Sequence, residues 1–249
     1  MDGAWRNHFA RPQIKVVVGL LASLAMTLTL ATGAVAGESR EIQNLKAKAA
    51  AGDVDAQLHL AAAYDSGRGV KLDIIEAAKW YEAAANLGNA EAQNSIGSLY
   101  LQGAGVPKDG VRACDWFAKS AAQKNVRGIG NLGICYDSGI GVAKDQSRAA
   151  RQYEEAANAG DLQSMLNIGV DYWHGEGVEK DLVKAYMWFD LVRFYTQTGD
   201  ANRMLKWRAR SALETLSRQI TPQIEQDGEA LSHAWDRANR DKVQRSTKF

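Results

Sequence analysis

Gly67-Arg68-Gly69-Val70-Lys71-Leu72-Asp73 returns as Gly103-Ala104-Gly105-Val106-Pro107-Lys108-Asp109, as Gly139-Ile140-Gly141-Val142-Ala143-Lys144-Asp145 and as Gly175-Glu176-Gly177-Val178-Glu179-Lys180-Asp181, each copy 36 residues after the last. Self-similarity at this period marks a repeat protein whose neighbouring copies share one core. The flanking residues repeat too. An aromatic precedes each phrase (Tyr64, Tyr100, Tyr136, Tyr172), an aliphatic lies four residues before it (Leu60, Ile96, Leu132, Ile168), and a small residue sits between (Ala61, Gly97, Gly133, Gly169). After each phrase come an alanine (Ala77, Ala113, Ala149, Ala185) and a large aromatic (Tyr81, Phe117, Tyr153, Phe189). Spacings of three and four put each set on one helical face. Every copy is therefore predicted to be two helices, A and B, joined by the glycine phrase.

The phrase has a mechanical reading. Its first glycine suits the left-handed residue that ends helix A, its second permits the reversal that follows, and its aspartate is a good N-cap for helix B. The rival reading, a phosphate cradle, fails because no copy continues as G-x-G-x-x-G or G-x-x-x-x-G-K-[ST]. Trp80, Trp116 and Trp188 recur with the structural period and are assigned to the core.

The chain has 249 residues, 46% of them hydrophobic, with 30 basic against 29 acidic side chains. That balance gives no field favouring nucleic acid. Arg6, Arg11 and Lys15 precede an almost uncharged apolar stretch over residues 16–33, and Ala34-Val35-Ala36 fits a small-x-small cleavage site. We read residues 1–36 as a signal peptide, with an uncleaved inner-membrane anchor as the alternative. Cleavage would leave a near-neutral chain without a membrane span, periplasmic or secreted. The expected organisation continues with a capping helix at 37–51 and four repeats over 52–195 (52–87, 88–123, 124–159, 160–195). Residues 196–249 form C-terminal capping helices, with Thr221-Pro222 opening the last, and a basic tail read as frayed and solvated.

At near-complete motif density from residue 52 to about 192, the chain resembles the Sel1-like repeat family, relatives of the tetratricopeptide repeat. The residues that carry the resemblance are Ala56-Gln57, Leu60, Tyr64, Gly67-x-Gly69-Val70, Asp73, Ala77, Trp80-Tyr81 and Ala84-Ala85-x-x-Gly88, with their counterparts one period on. The resemblance implies an all-α, right-handed α-solenoid that holds protein partners, and exported relatives that include envelope regulators and host-interaction proteins. By analogy with tetratricopeptide repeats, helix A lines the concave surface. The candidate partner-binding groove is then Asn94, Ser98, Arg127, Asp137, Gln163 and Trp173. Trp173 has two readings, an exposed binding anchor or a residue packed into the neighbouring helix.

Cys114 and Cys135 lie equally far from the turn near Lys124 and Asn125, so antiparallel helices would bring them level. An oxidising compartment favours a disulfide between them, and two buried thiols are the alternative. Two thiols and the scattered His59, His174 and His233 make no metal-ligand set, and no cofactor is expected. G-x-S-x-G, S-x-x-K and H-E-x-x-H are all missing from the sequence. The expected function is an exported, non-enzymatic protein- or peptide-binding adaptor of the bacterial cell envelope. A carbohydrate- or peptidoglycan-binding protein is the alternative, and a hydrolase is disfavoured. The oligomeric state is left open.

Overall fold

The structure is a computed structural model describing residues 39–196 and 202–246, so the predicted leader and its cleavage site lie outside the described residues. All regular elements among the described residues are helices: α1 (Arg40–Ala50), α2 (Val54–Ser66), α3 (Ile74–Asn86), α4 (Ala90–Gln102), α5 (Gly110–Ala122), α6 (Val126–Ser138), α7 (Gln146–Asn158), α8 (Leu162–His174), α9 (Leu182–Tyr195), α10 (Arg203–Ser217) and α11 (Pro222–Ser246). Helices α2, α4, α6 and α8 are the predicted A helices; α3, α5, α7 and α9 are the B helices. None of the eleven is long and apolar enough to cross a membrane. Two compact units divide between Asp109 and Gly110. In the N-terminal unit α1 packs on α2, α2 on α3 and α3 on α4; in the C-terminal unit consecutive helices from α5 to α10 pack likewise and α11 lies on α9. This is the all-α solenoid of helix pairs that the periodicity predicts.

The glycine phrase closes each helix pair in the same way. Gly67, Gly103, Gly139 and Gly175 all adopt φ between 70 and 76° and end helix A as left-handed caps. The aspartate amide then bonds back to the helix-A tyrosine carbonyl: Asp73 to Tyr64 at 3.0 Å, Asp109 to Tyr100 at 2.9 Å, Asp145 to Tyr136 at 2.8 Å and Asp181 to Tyr172 at 2.9 Å. The aspartate side chain meanwhile caps the next helix, with Asp145 accepting from the Arg148 amide and Asp181 from the Lys184 amide. One residue thus ties both ends of the loop.

The second glycine does more than turn the chain. A Cβ on Gly105 would lie 2.3 Å from the Ile74 carbonyl oxygen, on Gly141 2.3 Å from that of Gly110, and on Gly177 2.1 Å from that of Gln146. Ile74, Gly110 and Gln146 are each the first residue of helix B one repeat earlier. The bare Cα is therefore the surface on which one repeat sits against the backbone of the one before it. Gly69, which faces the capping helix, meets only the flexible Ile42 side chain at 3.2 Å.

Aromatic packing carries a further regularity, with a period of 72. Tyr81 donates to Asp65 at 3.5 Å and Tyr153 to Asp137 at 3.4 Å, whereas the sequence has Leu101 and Phe117 at these positions in the second copy, and in the fourth Trp173 meets Phe189 ring to ring. Tyr100 donates to Glu82 at 2.9 Å and Tyr172 to Glu154 at 2.8 Å, each joining helix A of an even-numbered copy to helix B of the copy before it. Glycine in helix A makes room for these rings, since a Cβ on Gly133 or Gly169 would come within 2.7 Å of Tyr153 or Phe189. Trp116 and Trp188 are buried as expected, but Trp80 is only half-buried.

Cys114 on α5 and Cys135 on α6 form a disulfide, with their Cα atoms 6.0 Å apart. Two helices, α10 and α11, follow the repeats, and Thr221 caps α11 through the Ile224 amide at 3.4 Å. The expected frayed tail needs correction, because α11 continues to Ser246. Arg237 and Lys242 lie on the helix, and Arg240 pairs one turn back with Asp236. Val243 is buried, and the backbone at Lys242 and Val243 fits against Gly160 at a distance that leaves no room for a Cβ.

Two outcomes are expected. Gly177→Ala should cost more than about 3 kcal/mol in chemical denaturation, since strained φ and a backbone clash combine; Gly88→Ala, with open space around it, should cost only the left-handed penalty of about 1–2 kcal/mol. Alkylation without reductant should modify neither cysteine, and reduction should lower stability by roughly 3 kcal/mol on the loop-entropy account.

Candidate functional site

Once the glycines, aspartates and aromatics are absorbed by packing, the variable side chains on the A helices remain as candidates. They fall in columns 36 residues apart: Asp55, Glu91, Arg127 and Gln163, then His59, Ser95, Asn131 and Asn167, then Ala62, Ser98, Ile134 and Val170. The first column carries charges of both signs and an amide, the second neutral polar groups with a histidine, and the third a serine among aliphatics; all members are exposed or half-buried. That is how a helix face looks when the core does not dictate its chemistry.

The expected groove residues divide by what they touch. In the N-terminal unit Asn94 is buried, only 8% exposed, and Ser98 turns its hydroxyl back onto the Asn94 carbonyl at 3.1 Å. In the C-terminal unit Arg127 is exposed at the start of α6, close enough to Asp161 to act on its carboxylate. Asp137 is half-buried as the acceptor of the Tyr153 hydroxyl and belongs to the packing between α6 and α7. Gln163 donates to Asn167 one turn on at 2.9 Å.

Trp173 is 4% exposed, which settles its two readings in favour of packing. Its ring meets Phe189 edge-on at 6.0 Å and stacks on His174 at 5.1 Å, and its indole N–H donates to the Gln219 side chain at 3.2 Å. The cap helix α10 and the turn after it cover this end of α8, so the side chain cannot serve as an exposed anchor. Trp235, expected as core of the cap, is half-buried, packed edge-on against Trp188 at 5.6 Å and bonded to Asn158 at 3.1 Å.

Sequence reasoning overlooked the column of Ser95, Asn131 and Asn167. The signal that finds it is the same 36-residue register, read four residues further along helix A. It also passed over Met204 and Trp207, which are 62% and 57% exposed on α10, where the repeat no longer supplies a register.

Acidic groups that could suggest chemistry are occupied. Between α9 and α11 a cleft of about 20 Å³, room for one water, is lined by Asp190, Leu191, Phe194, Ser232, His233 and Asp236. Asp190 accepts from Arg193 and, at 2.6 Å, from Ser232, while Asp236 accepts from Tyr195 and Arg240. The Arg240 guanidinium holds the Asp236 carboxyl below the usual carboxylate range. Among the described residues no group of three His, Cys, Asp or Glu could hold a metal ion.

One N-cap beside the candidate surface stands out electrostatically. The Asp161 carboxylate accepts from the Ser164 amide at 2.7 Å, but its burial pushes its pKa up, with Arg127 pulling the other way. The equivalent caps in the two preceding copies, Asn89 and Asn125, make the same bond without a charge, at 2.8 and 2.9 Å. With the folded pKa raised above the unfolded one, folding disfavours the charged form. The cost is absent at low pH, where both states are protonated, and grows as the pH rises through the carboxylate range to the raised value. Asp161→Asn should therefore melt at or above wild type at pH 7, the gain vanishing by about pH 3; a lower melting temperature at pH 7 would contradict this assignment.

Comparison with known proteins gives a consistent account. The family model described as Sel1 repeat matches residues 54–89, 90–125, 128–161 and 162–191, together more than half of the chain. A solved structure of a protective antigen present in uropathogenic Escherichia coli strains, displaying an SLR fold, is similar at 28% identity and a TM-score of 0.73 over 84% of this chain. The chain spans only 43% of that antigen's length. A Sel1 repeat protein from Oxalobacter formigenes is similar at 28% identity and a TM-score of 0.59, over 72% of this chain and 78% of its own. No curated protein matches.

Proposed function

Because this chain belongs to the Sel1 repeat family, whose members are in general protein-interaction adaptors and typically non-catalytic, we propose that it is an exported, non-enzymatic adaptor of the bacterial cell envelope. It holds a protein or peptide on the solvent-contacting side of its A helices. The observation that carries the reading is the division of labour along each copy. Residues that repeat are consumed by turns, caps and core, while the columns through Arg127, Gln163 and Asn167 vary and keep solvent contact. A disulfide between Cys114 and Cys135 supports export, since such bonds persist in oxidising compartments. The apolar leader over residues 16–33 supports it independently. The carbohydrate-binding alternative loses its strongest aromatic with the burial of Trp173.

The C-terminal unit offers Arg127, Asn131, Gln163 and Asn167 as one polar surface on α6 and α8. Hydrogen-bonding side chains of this kind suit a peptide or protein loop, with arginine the strongest anchor among them. Cross-linking in the native envelope, followed by pull-down, should capture a specific protein. Arg127→Glu should weaken its capture at least tenfold, about 1.4 kcal/mol, beyond the modest loss of stability expected from a second carboxylate near Asp161, which a melting curve measures separately. Recovery of glycan alone, or capture indifferent to Arg127→Glu, would overturn the reading.

A further inference from the structure

Among the described residues of the cap, helix α10 exposes two large apolar side chains together with cations. Its buried side is Ala209, Ala212, Leu213 and Leu216. On the opposite side Trp207 is 57% exposed and Met204, one turn before it, 62% exposed. Arg203 and Arg210 are exposed beside them, Lys206 and Arg208 are half-buried, and within α10 no acidic residue occurs before Glu214, which is itself paired with Arg218 at 2.6 Å. Two exposed cations, Arg203 and Arg210, thus flank an exposed tryptophan and methionine within eight residues. Trp207 and Met204 are among the most exposed large apolar side chains of the described residues, and apolar and cationic groups together suit an amphiphilic surface.

We propose that this face of α10 docks the protein on an anionic phospholipid surface. Charge complementarity selects the occupant: the cations would sit at the level of the lipid phosphates, while Trp207 and Met204 enter the headgroup–acyl boundary. Arg203 and Arg210 flank Trp207 on the exposed side, and long basic side chains can keep their heads at the phosphates while their stems follow the apolar layer. The binding is peripheral. It shares no residue with the A-helix columns, so it stands or falls apart from the adaptor reading.

Trp207 itself reports the test. Full-length protein is titrated with vesicles of brominated phosphatidylglycerol and, separately, brominated phosphatidylcholine, and the bromine-quenched part of the tryptophan emission is compared with that of Trp207→Phe. The apolar leader is common to both proteins, so their difference isolates this residue. The expected result is a Trp207-dependent quenching component with phosphatidylglycerol that weakens in 0.5 M salt and is small with phosphatidylcholine. Arg210→Glu, which keeps the fluorophore, should weaken that component's apparent vesicle affinity by about fivefold or more, each surface cation contributing on that order. Melting temperatures of both variants should match wild type, since both side chains are exposed. Equal quenching by neutral and anionic vesicles, or no Trp207-dependent component at all, overturns the proposal. An acidic protein cross-linked through α10 in the absence of quenching would reassign the surface and overturn it as well.

Discussion

The solenoid depends on a contact between bare backbone and bare backbone. The second glycine of each phrase from the second copy onward lays its Cα against the carbonyl of the residue that opens helix B one repeat earlier, at distances where a methyl group has no place. Side-chain packing tolerates volume changes by shifting rotamers, but two main chains in contact cannot yield without moving the elements they belong to. The spacing between copies in each unit is therefore set by a glycine and a peptide unit. The aromatics and alanines then fill whatever volume that spacing leaves. This explains why the phrase is the least variable part of the chain although it forms a loop, the region where variation is ordinarily greatest.

Much of this was legible in the sequence, because the demands of turns and caps are local. A left-handed residue, a helix N-cap and a reversal each announce themselves by residue type within seven positions. The level placement of Cys114 and Cys135 was also readable, from counting outward through a single turn. The reason for the second glycine was not, since its constraint lies 31 residues back, in Ile74 for Gly105 and Gln146 for Gly177. The fate of Trp173 was hidden for the same reason. Its partner Gln219 is 46 residues away, beyond the end of the repeats, where no register predicts what covers α8.

The surface is legible only by subtraction. Asp137 occupies a helix-A position that varies between copies and so looked like a groove residue, yet its carboxylate serves Tyr153. Variation alone therefore does not separate surface from scaffold; a residue can vary because its packing partner varies with it. Asp137 with Tyr153 and Trp173 with Phe189 vary together in that sense. What remains after such pairs are removed is a smaller, neutral-polar face with one prominent cation, Arg127, and that is a narrower target than the original set.

The alternation of tyrosine–carboxylate pairs has a consequence for how such a chain can grow or shrink. The unit that matches itself is two copies, 72 residues, and not one. Excising the third copy would bring Tyr172 opposite Ala118 and lose a bond between copies, whereas excising the second would bring Tyr136 opposite Glu82; the Asp65–Tyr81 and Asp137–Tyr153 pairs lie within single copies and go or stay entire. Excising two would rejoin like to like. Loss of copies is therefore unequal along the array: which one is removed decides whether a buried tyrosine keeps a carboxylate acceptor.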